Sequence, residues 1–303
     1  TTRKGNCRSF PPTVIVILLS LLKSSVVPGM LAFIGWRLNV AQNTDMFEQS
    51  IAYALIGTAM WLFPLLFLQI ACRPHGLFIQ HFIWQPEVIK SLKRPIQFLI
   101  LLGSPLCFLV LMLMVLPAEQ WNQSVGRLAF FALMILISLA ADHIFRPMNL
   151  LFRYMNTGEQ VSRFHSFRYL FYAVTTLTPI FLIFVAAFGY YYTAKYLAVQ
   201  LWLTNNFLII ALMVRALLLR WLLVTRRKRL FEQRRELLKQ LEASVNAEEE
   251  EKIRADLPQP EEQEPDLAAM SAQTRRLINT VLGLMVILGT WTFWQDIIPA
   301  FNL

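Results

Sequence analysis

The sequence contains no HExxH, no GxSxG, no P-loop and no GxGxxG. Each of those patterns sets catalytic or phosphate-cradling groups at fixed offsets, so the enzyme classes built on them lose their signature. The three cysteines, Cys7, Cys72 and Cys107, are isolated and show no CxxC spacing. They read as free thiols, not as a disulfide framework or a metal site. The four histidines, His75, His81, His143 and His165, are scattered. Asp142 and His143 are adjacent, but neighbours on a helix point about 100° apart and cannot share a ligand. No enzyme activity, metal or cofactor is expected. None of the 11 glycines forms a GxxxG pair, so the familiar close-approach motif of membrane helices is missing and loose packing is expected. The first residue is not Met, and the N-terminus does not read as a cleavable signal peptide. The chain reads as a piece of something longer.

What is present is apolar length. Hydrophobic residues make up 56% of the 303, above the roughly 45–50% of soluble domains. The mean hydropathy is +0.49. The excess sits in blocks of about 20 residues, the length a helix needs to cross a hydrocarbon core of about 30 Å. The blocks show no period-2 alternation, so helices are expected rather than barrel strands. The reading is an all-α, polytopic integral membrane protein. Seven spans are expected, near 12–36, 51–72, 95–116, 125–145, 167–194, 197–224 and 277–299.

Charge gives the threading. The tail and the second, fourth and sixth connections are rich in Lys and Arg. The first, third and fifth carry one cation each: Arg37, Arg127 and Lys195. Basic short loops stay cytoplasmic, so the N-terminus is expected inside and the C-terminal end outside. A net charge of +9 on a soluble domain would suggest nucleic acid. Here the cations flank apolar blocks, so phospholipid headgroups are the expected partner and nucleic acid is not.

The second connection is unusually apolar from Gly76 to Trp84. A helix in the headgroup plane fits, with Trp84 in the aromatic belt. A loop packed on neighbouring helices is the alternative. Three organisational regions follow: a six-helix membrane region over 1–224, a charged extension and linker over 225–276, and a seventh span over 277–303. The basic stretch 225–239 is built of strong helix formers and should prolong the sixth helix. The Glu- and Pro-rich run after it should be disordered.

Ionisable residues inside spans are functional candidates, because burying them in lipid costs free energy. Lys23 lies roughly 16 Å into the first span at 1.5 Å per residue, near the midplane. Pro28-Gly29 follows five residues later and should bend the helix. Pro179 should bend the fifth. Arg215 and Arg220 lie in the sixth span; Arg220 reads as a snorkelling anchor, and Arg215 as a partner for Asp142. Lys23, Arg215, Arg220, Trp84 and the basic-flank Arg94 are thus the lipid- and tension-sensing candidates, with Pro28, Gly29 and Pro179 as hinges. The cluster Tyr190-Tyr191-Tyr192 reads as an aromatic anchor at the outer interface.

Three stretches carry a family resemblance. They are Gly189-Tyr190-Tyr191-Tyr192-Thr193 before a further span, Leu219-Arg220 running into Arg226-Arg227, and Ser271-Ala272-Gln273-Thr274-Arg275-Arg276-Leu277 leading to a span with Trp291, Trp294 and Asp296. The Gly76 to Phe82 stretch, with His81-Phe82, is similar too. In these features the chain resembles the membrane region of the large MscS-like mechanosensitive channels of the MscK and MscM (KefA) type. The resemblance implies a homo-heptameric channel of a bacterial inner membrane that passes ions and osmolytes under hypo-osmotic stress. It implies that this chain is the sensor array, without the pore helix and cytoplasmic vestibule. A secondary transporter is the rival, but only the first span carries a midplane charge beside a break, with no second copy.

Overall fold

In lipid each backbone group must be satisfied within its own segment, so uninterrupted apolar blocks become helices. The computed structural model describes residues 11–40, 45–73, 77–80, 86–116, 122–146, 161–244 and 272–295, and all regular structure among them is helical. In order they form α1 (Pro11–Val40), α2 (Met46–Ala71), the short α3 (Leu77–Gln80), α4 (Pro86–Phe98), α5 (Ser104–Val115), α6 (Arg127–Phe145), α7 (Val161–Ala187), α8 (Tyr191–Ser244) and α9 (Ala272–Trp294). Among the described residues, six stretches are long and apolar enough to cross a membrane: Thr13–Val40, Met46–Ala71, Ile89–Val115, Ser124–Phe145, Tyr191–Leu222 and Arg276–Trp294. The remaining expected span falls on α7, whose apolar part, Tyr172–Ala187, is shorter.

Two boundaries differ from expectation. The third span was expected to start at Pro95, yet the helix begins nine residues earlier and runs through it. A π-helical turn, Leu99–Gly103, follows at once and passes the chain into α5. The missing N–H of Pro105, at the start of α5, falls on the Leu101 carbonyl inside this turn, and such a local adjustment is one way a membrane helix accommodates a proline. The second difference is the turn between α7 and α8. It sits at Phe188-Gly189, not near Lys195. Gly189 adopts φ +103°, its N–H donates to the Ala186 carbonyl, and the Tyr190 N–H donates to the Val185 carbonyl. This pair of bonds is a Schellman cap, which wants a residue in the left-handed region. A Cβ there meets nothing within 4 Å, so backbone conformation and not space selects glycine. Gly189→Val should lower stability by about 1–2 kcal/mol, read as a lower melting midpoint in detergent, with Gly189→Asn losing less.

The chain divides into two units, Thr13–Trp202 and Thr1–Pro12 with Leu203–Leu303. In the first, the core joins Trp61, Leu62 and Leu65 of α2 to Cys107 and Val110 of α5, Phe130, Leu133 and Met134 of α6, Leu182 and Ala186 of α7, and Tyr191 and Ala194 of α8. Helix α2 is the hub: 44% of its most apolar window is buried, against 11% for α1. Its Ser50, Ala54 and Thr58, at helical i, i+4, i+8 spacing, are 0%, 0% and 5% exposed. Close approach is therefore achieved, and with Ala, Ser and Thr where glycine pairs are missing. The free thiols Cys72 and Cys107 are both buried in this unit.

Helices α6 and α7 are tied by polar bonds. Ser138 Oγ donates to the Thr176 carbonyl at 3.0 Å, and Tyr172 Oη donates to Asp142 Oδ1 at 2.5 Å. The first bond lies within one turn of Pro179, which has no N–H to donate back along α7. Interhelical bonds in membranes contribute about 0.6 kcal/mol on average, so Ser138→Ala should lower the melting midpoint only slightly.

In the second unit the remainder of α8 pairs with α9. The rings of Phe207 and Phe293 meet edge-on at 5.7 Å, Trp294 Nε1 donates to Thr204 Oγ1 at 3.1 Å, and Arg215 Nε donates to Asn279 Oδ1 at 3.0 Å. As numbers rise along α8 they fall along α9, so the pair is antiparallel. Helix α8 has 54 residues, about 80 Å at 1.5 Å per residue. The expected extension of the sixth helix through the basic stretch is thus observed as one helix. The Glu- and Pro-rich run lies outside the described residues.

Candidate lipid-contact site

Helix α4 reads PEVIKSLKRPIQF. Ile89 and Ile96, seven residues apart, are 4% and 3% exposed. On the other face Lys90, Lys93, Arg94 and Gln97 are exposed, at i, i+3, i+4 and i+7. One stripe of the helix is anchored in protein, and the opposite stripe presents cations. The last turn of α6 brings His143 alongside. Lys90, Ser91, Lys93, Arg94, Gln97 and His143 line an open crevice of about 450 Å³. Lys93 also stands near the buried Cys72 thiol just past α2. Of the residues singled out in sequence, only Arg94 belongs here. In sequence Lys90 and Lys93 read as loop charges and His143 as one of four scattered histidines, although the i, i+3, i+4, i+7 spacing of Lys90, Lys93, Arg94 and Gln97 is a signal for one helical face.

A second cationic cluster lies near the α7–α8 turn. Lys195, expected in a loop, is inside α8 and only 6% exposed. Its Nζ lies 4.3 Å from the centroid of the Tyr191 ring, and the Arg127 guanidinium is 5.8 Å from the same ring. Phe130 meets that ring edge-on at 5.7 Å. The lone cations of two connections thus converge on one aromatic ring, an arrangement that partly offsets their desolvation. The tyrosine cluster is split: Tyr190 and Tyr192 are 68% and 72% exposed, while Tyr191 is 6% exposed. Only the outer two fit an interfacial anchor.

The other expected residues are dispersed. Lys23 is exposed on α1 beside the exposed Leu22 and Val26. Pro28 is buried and Gly29 exposed on the same helix, which continues through both. The hydroxyls of Ser20, Ser24 and Ser25 donate back to the carbonyls of Val16, Leu21 and Leu22 in this stretch. Pro179 is buried within α7. Arg215 Nε donates to Asn279 on α9, and the Asp142 carboxylate accepts from Tyr172 on α7. Arg220 is half-buried. Trp84 lies outside the described residues. Of the segment expected in the headgroup plane, the described part is α3, and its Leu77 and Phe78 are 0% and 6% exposed. Those two side chains pack inward, as the alternative reading of that segment had it.

Apolar helices of spanning length, cationic ends and no strand among the described residues define a multi-pass α-helical membrane protein. Residues 1–303 match the family model described as mechanosensitive ion channel inner membrane domain 1, and the chain belongs to that family. It is similar to the miniconductance mechanosensitive channel MscM of Escherichia coli (strain K12), at 26% identity over 304 residues. That match covers 96% of this chain and 26% of the relative, so the chain spans about a quarter of that protein's length. No solved structure matches. A channel family supports the channel reading, and nothing supports the transporter rival.

Proposed function

We propose that this chain is the tension-sensing membrane region of a bacterial inner-membrane channel that releases ions and osmolytes on hypo-osmotic stress. The observation that carries this reading is the family match along the whole chain. The fold supplies a physical basis. Only 11%, 6% and 6% of the most apolar windows of α1, α8 and α9 are buried within the chain, so these helices offer most of their surface to lipid or to other subunits. Tension favours whichever state occupies more membrane area, acting as an agent with different affinity for two conformations. Moving a channel from 1:99 to 99:1 open takes about 5.5 kcal/mol of such difference. A wide array of helices around a pore gives tension a large area on which to do that work.

In this proposal the region 1–224 is the sensor, 225–276 the cytoplasmic extension and linker, and 277–303 the span leading to a pore module outside this chain. The N-terminus faces the cytoplasm and the C-terminal end the outside, as the charge alternation favours. Subunits assemble as a homo-oligomer, a heptamer by family resemblance, around the ion path. Lys23, exposed among apolar neighbours, and Arg94, in the α4 crevice, meet phospholipid, as do Arg220 and Trp84 at the interface. Arg215, held by Asn279, steadies the α8–α9 pair and contacts lipid with its remaining donors. Pro28, Gly29 and Pro179 are the hinges. Patch recording tests the reading. The full-length protein, expressed in cells stripped of other stretch-activated channels, should give current that appears only under suction. Substrate-driven uptake into unstretched proteoliposomes would support transport instead.

A further inference from the structure

We propose that the crevice between α4 and the end of α6 binds a phosphate-bearing anion, held by Lys90, Lys93 and Arg94 with His143 at its wall. The inference rests on the chain's place in a membrane but not on gating. Three observations carry it. The first is shape: the crevice has about 450 Å³ and is open on one side, room for a headgroup. The second is charge. Lys90 stands three and four residues before Lys93 and Arg94, so their cationic groups share one helical face and repel one another. Among the described residues no carboxylate lines the crevice. The neighbouring Asp142 carboxylate accepts a hydrogen bond from Tyr172 on α7. An anion among the three cations turns this repulsion into attraction, and a phosphate offers enough acceptor oxygens for an arginine fork and two ammonium groups.

The third observation is depth. The candidate span Ile89–Val115 has 27 residues, about 40 Å of helix, against a hydrocarbon core of about 30 Å. The residues from Phe98 onward are the apolar ones, so the surplus of about seven residues lies at the Lys90–Gln97 end, at headgroup level. Helix α6 ends at Phe145, with Arg146 next, and so brings His143 to the same level. A lipid phosphate is the source this position favours; free phosphate shares the chemistry.

The test uses the full-length protein in detergent and native mass spectrometry. Phosphatidylglycerol, phosphatidylcholine and inorganic phosphate are added separately and in competition. Each cation near a membrane surface changes anionic-lipid affinity by roughly five-fold, so Lys93→Gln with Arg94→Gln should weaken phosphatidylglycerol binding by about 25-fold. The exchange Lys93→Arg with Arg94→Lys should largely retain it, which separates lost charge from misfolding. Arg37→Gln, removing an exposed cation at the end of α1, should leave it unchanged. Displacement of the lipid by inorganic phosphate, lost in the same double variant, would establish the site with a free anion as its occupant. Equal phosphatidylglycerol binding by the wild type and the double glutamine variant would overturn the proposal, as would an equal loss in Arg37→Gln. Stretch-activated current recorded on the same variants reports separately on tension sensing.

Discussion

Gly35→Leu is expected to destabilise the protein severely, while Gly29→Ala, six residues earlier on the same helix, is expected to be harmless to folding. A Cβ at Gly35 would lie 2.8 Å from the Ala52 carbonyl oxygen, 2.9 Å from Ile56 Cγ1 and 3.1 Å from Leu55 Cβ. The nearest of these is backbone in the second turn of α2 and cannot rotate away. The glycine is therefore where α1 rests on the hub helix, the role small residues take in membrane helix pairs. Overpacking at such a contact costs about 1–3 kcal/mol and at times more, and leucine here extends well beyond the first carbon. At Gly29 a Cβ meets nothing within 4 Å. Alanine there should be neutral or should stabilise the helix by up to about 1 kcal/mol. Melting of the purified variants separates the two positions. If Gly29 is a hinge, Gly29→Ala should alter the opening tension while leaving that melting midpoint alone.

The second large effect is expected at Trp61. Its ring stacks on Trp202 with centroids 4.2 Å apart and planes 25° from parallel. A Cβ on Gly103 would lie 3.3 Å from Trp61 Cζ2, so the residue that closes the π-helical turn makes room for the indole. Trp61 is 6% exposed and sits in the core cluster. Trp61→Ala should cost about 3–5 kcal/mol, the usual loss for emptying a buried aromatic site. The indole Nε1 is buried without a hydrogen-bond partner among the described residues. Phenylalanine keeps most of the stacking and removes that unsatisfied donor, so Trp61→Phe should cost far less than Trp61→Ala. A ranking in which both variants melt together would show that the stack contributes little.

The helices were legible because lipid imposes a long, continuous signal. Blocks such as 51–72 and 125–145 leave few alternatives once length and composition are counted. Helix α4 was harder to see. It is short and amphipathic, it carries Pro95, and its cations also served as topology markers, so the same residues supported two readings. The turn at Gly189 was placed several residues late because Phe188, Tyr190 and Tyr191 are as apolar as the spans on either side. Which of three consecutive tyrosines faces inward depends on rotation of α8, and composition carries no trace of it. The close packing of α2 was hidden for a related reason: Ser50, Ala54 and Thr58 do the work that a search for paired glycines would miss. Lys23 and Arg215 stand out in sequence by their depth in the bilayer. The crevice was instead assembled by convergence of α4 with the end of α6, which only three-dimensional structure reveals.

The most direct measurement of the tension-sensing role is the opening tension of the full-length channel with and without residues 13–202. If this unit gathers membrane tension, its removal should move the midpoint tension markedly and leave single-channel conductance unchanged, because the proposed ion path lies outside it. An unchanged midpoint in a properly assembled, conducting channel would contradict the account.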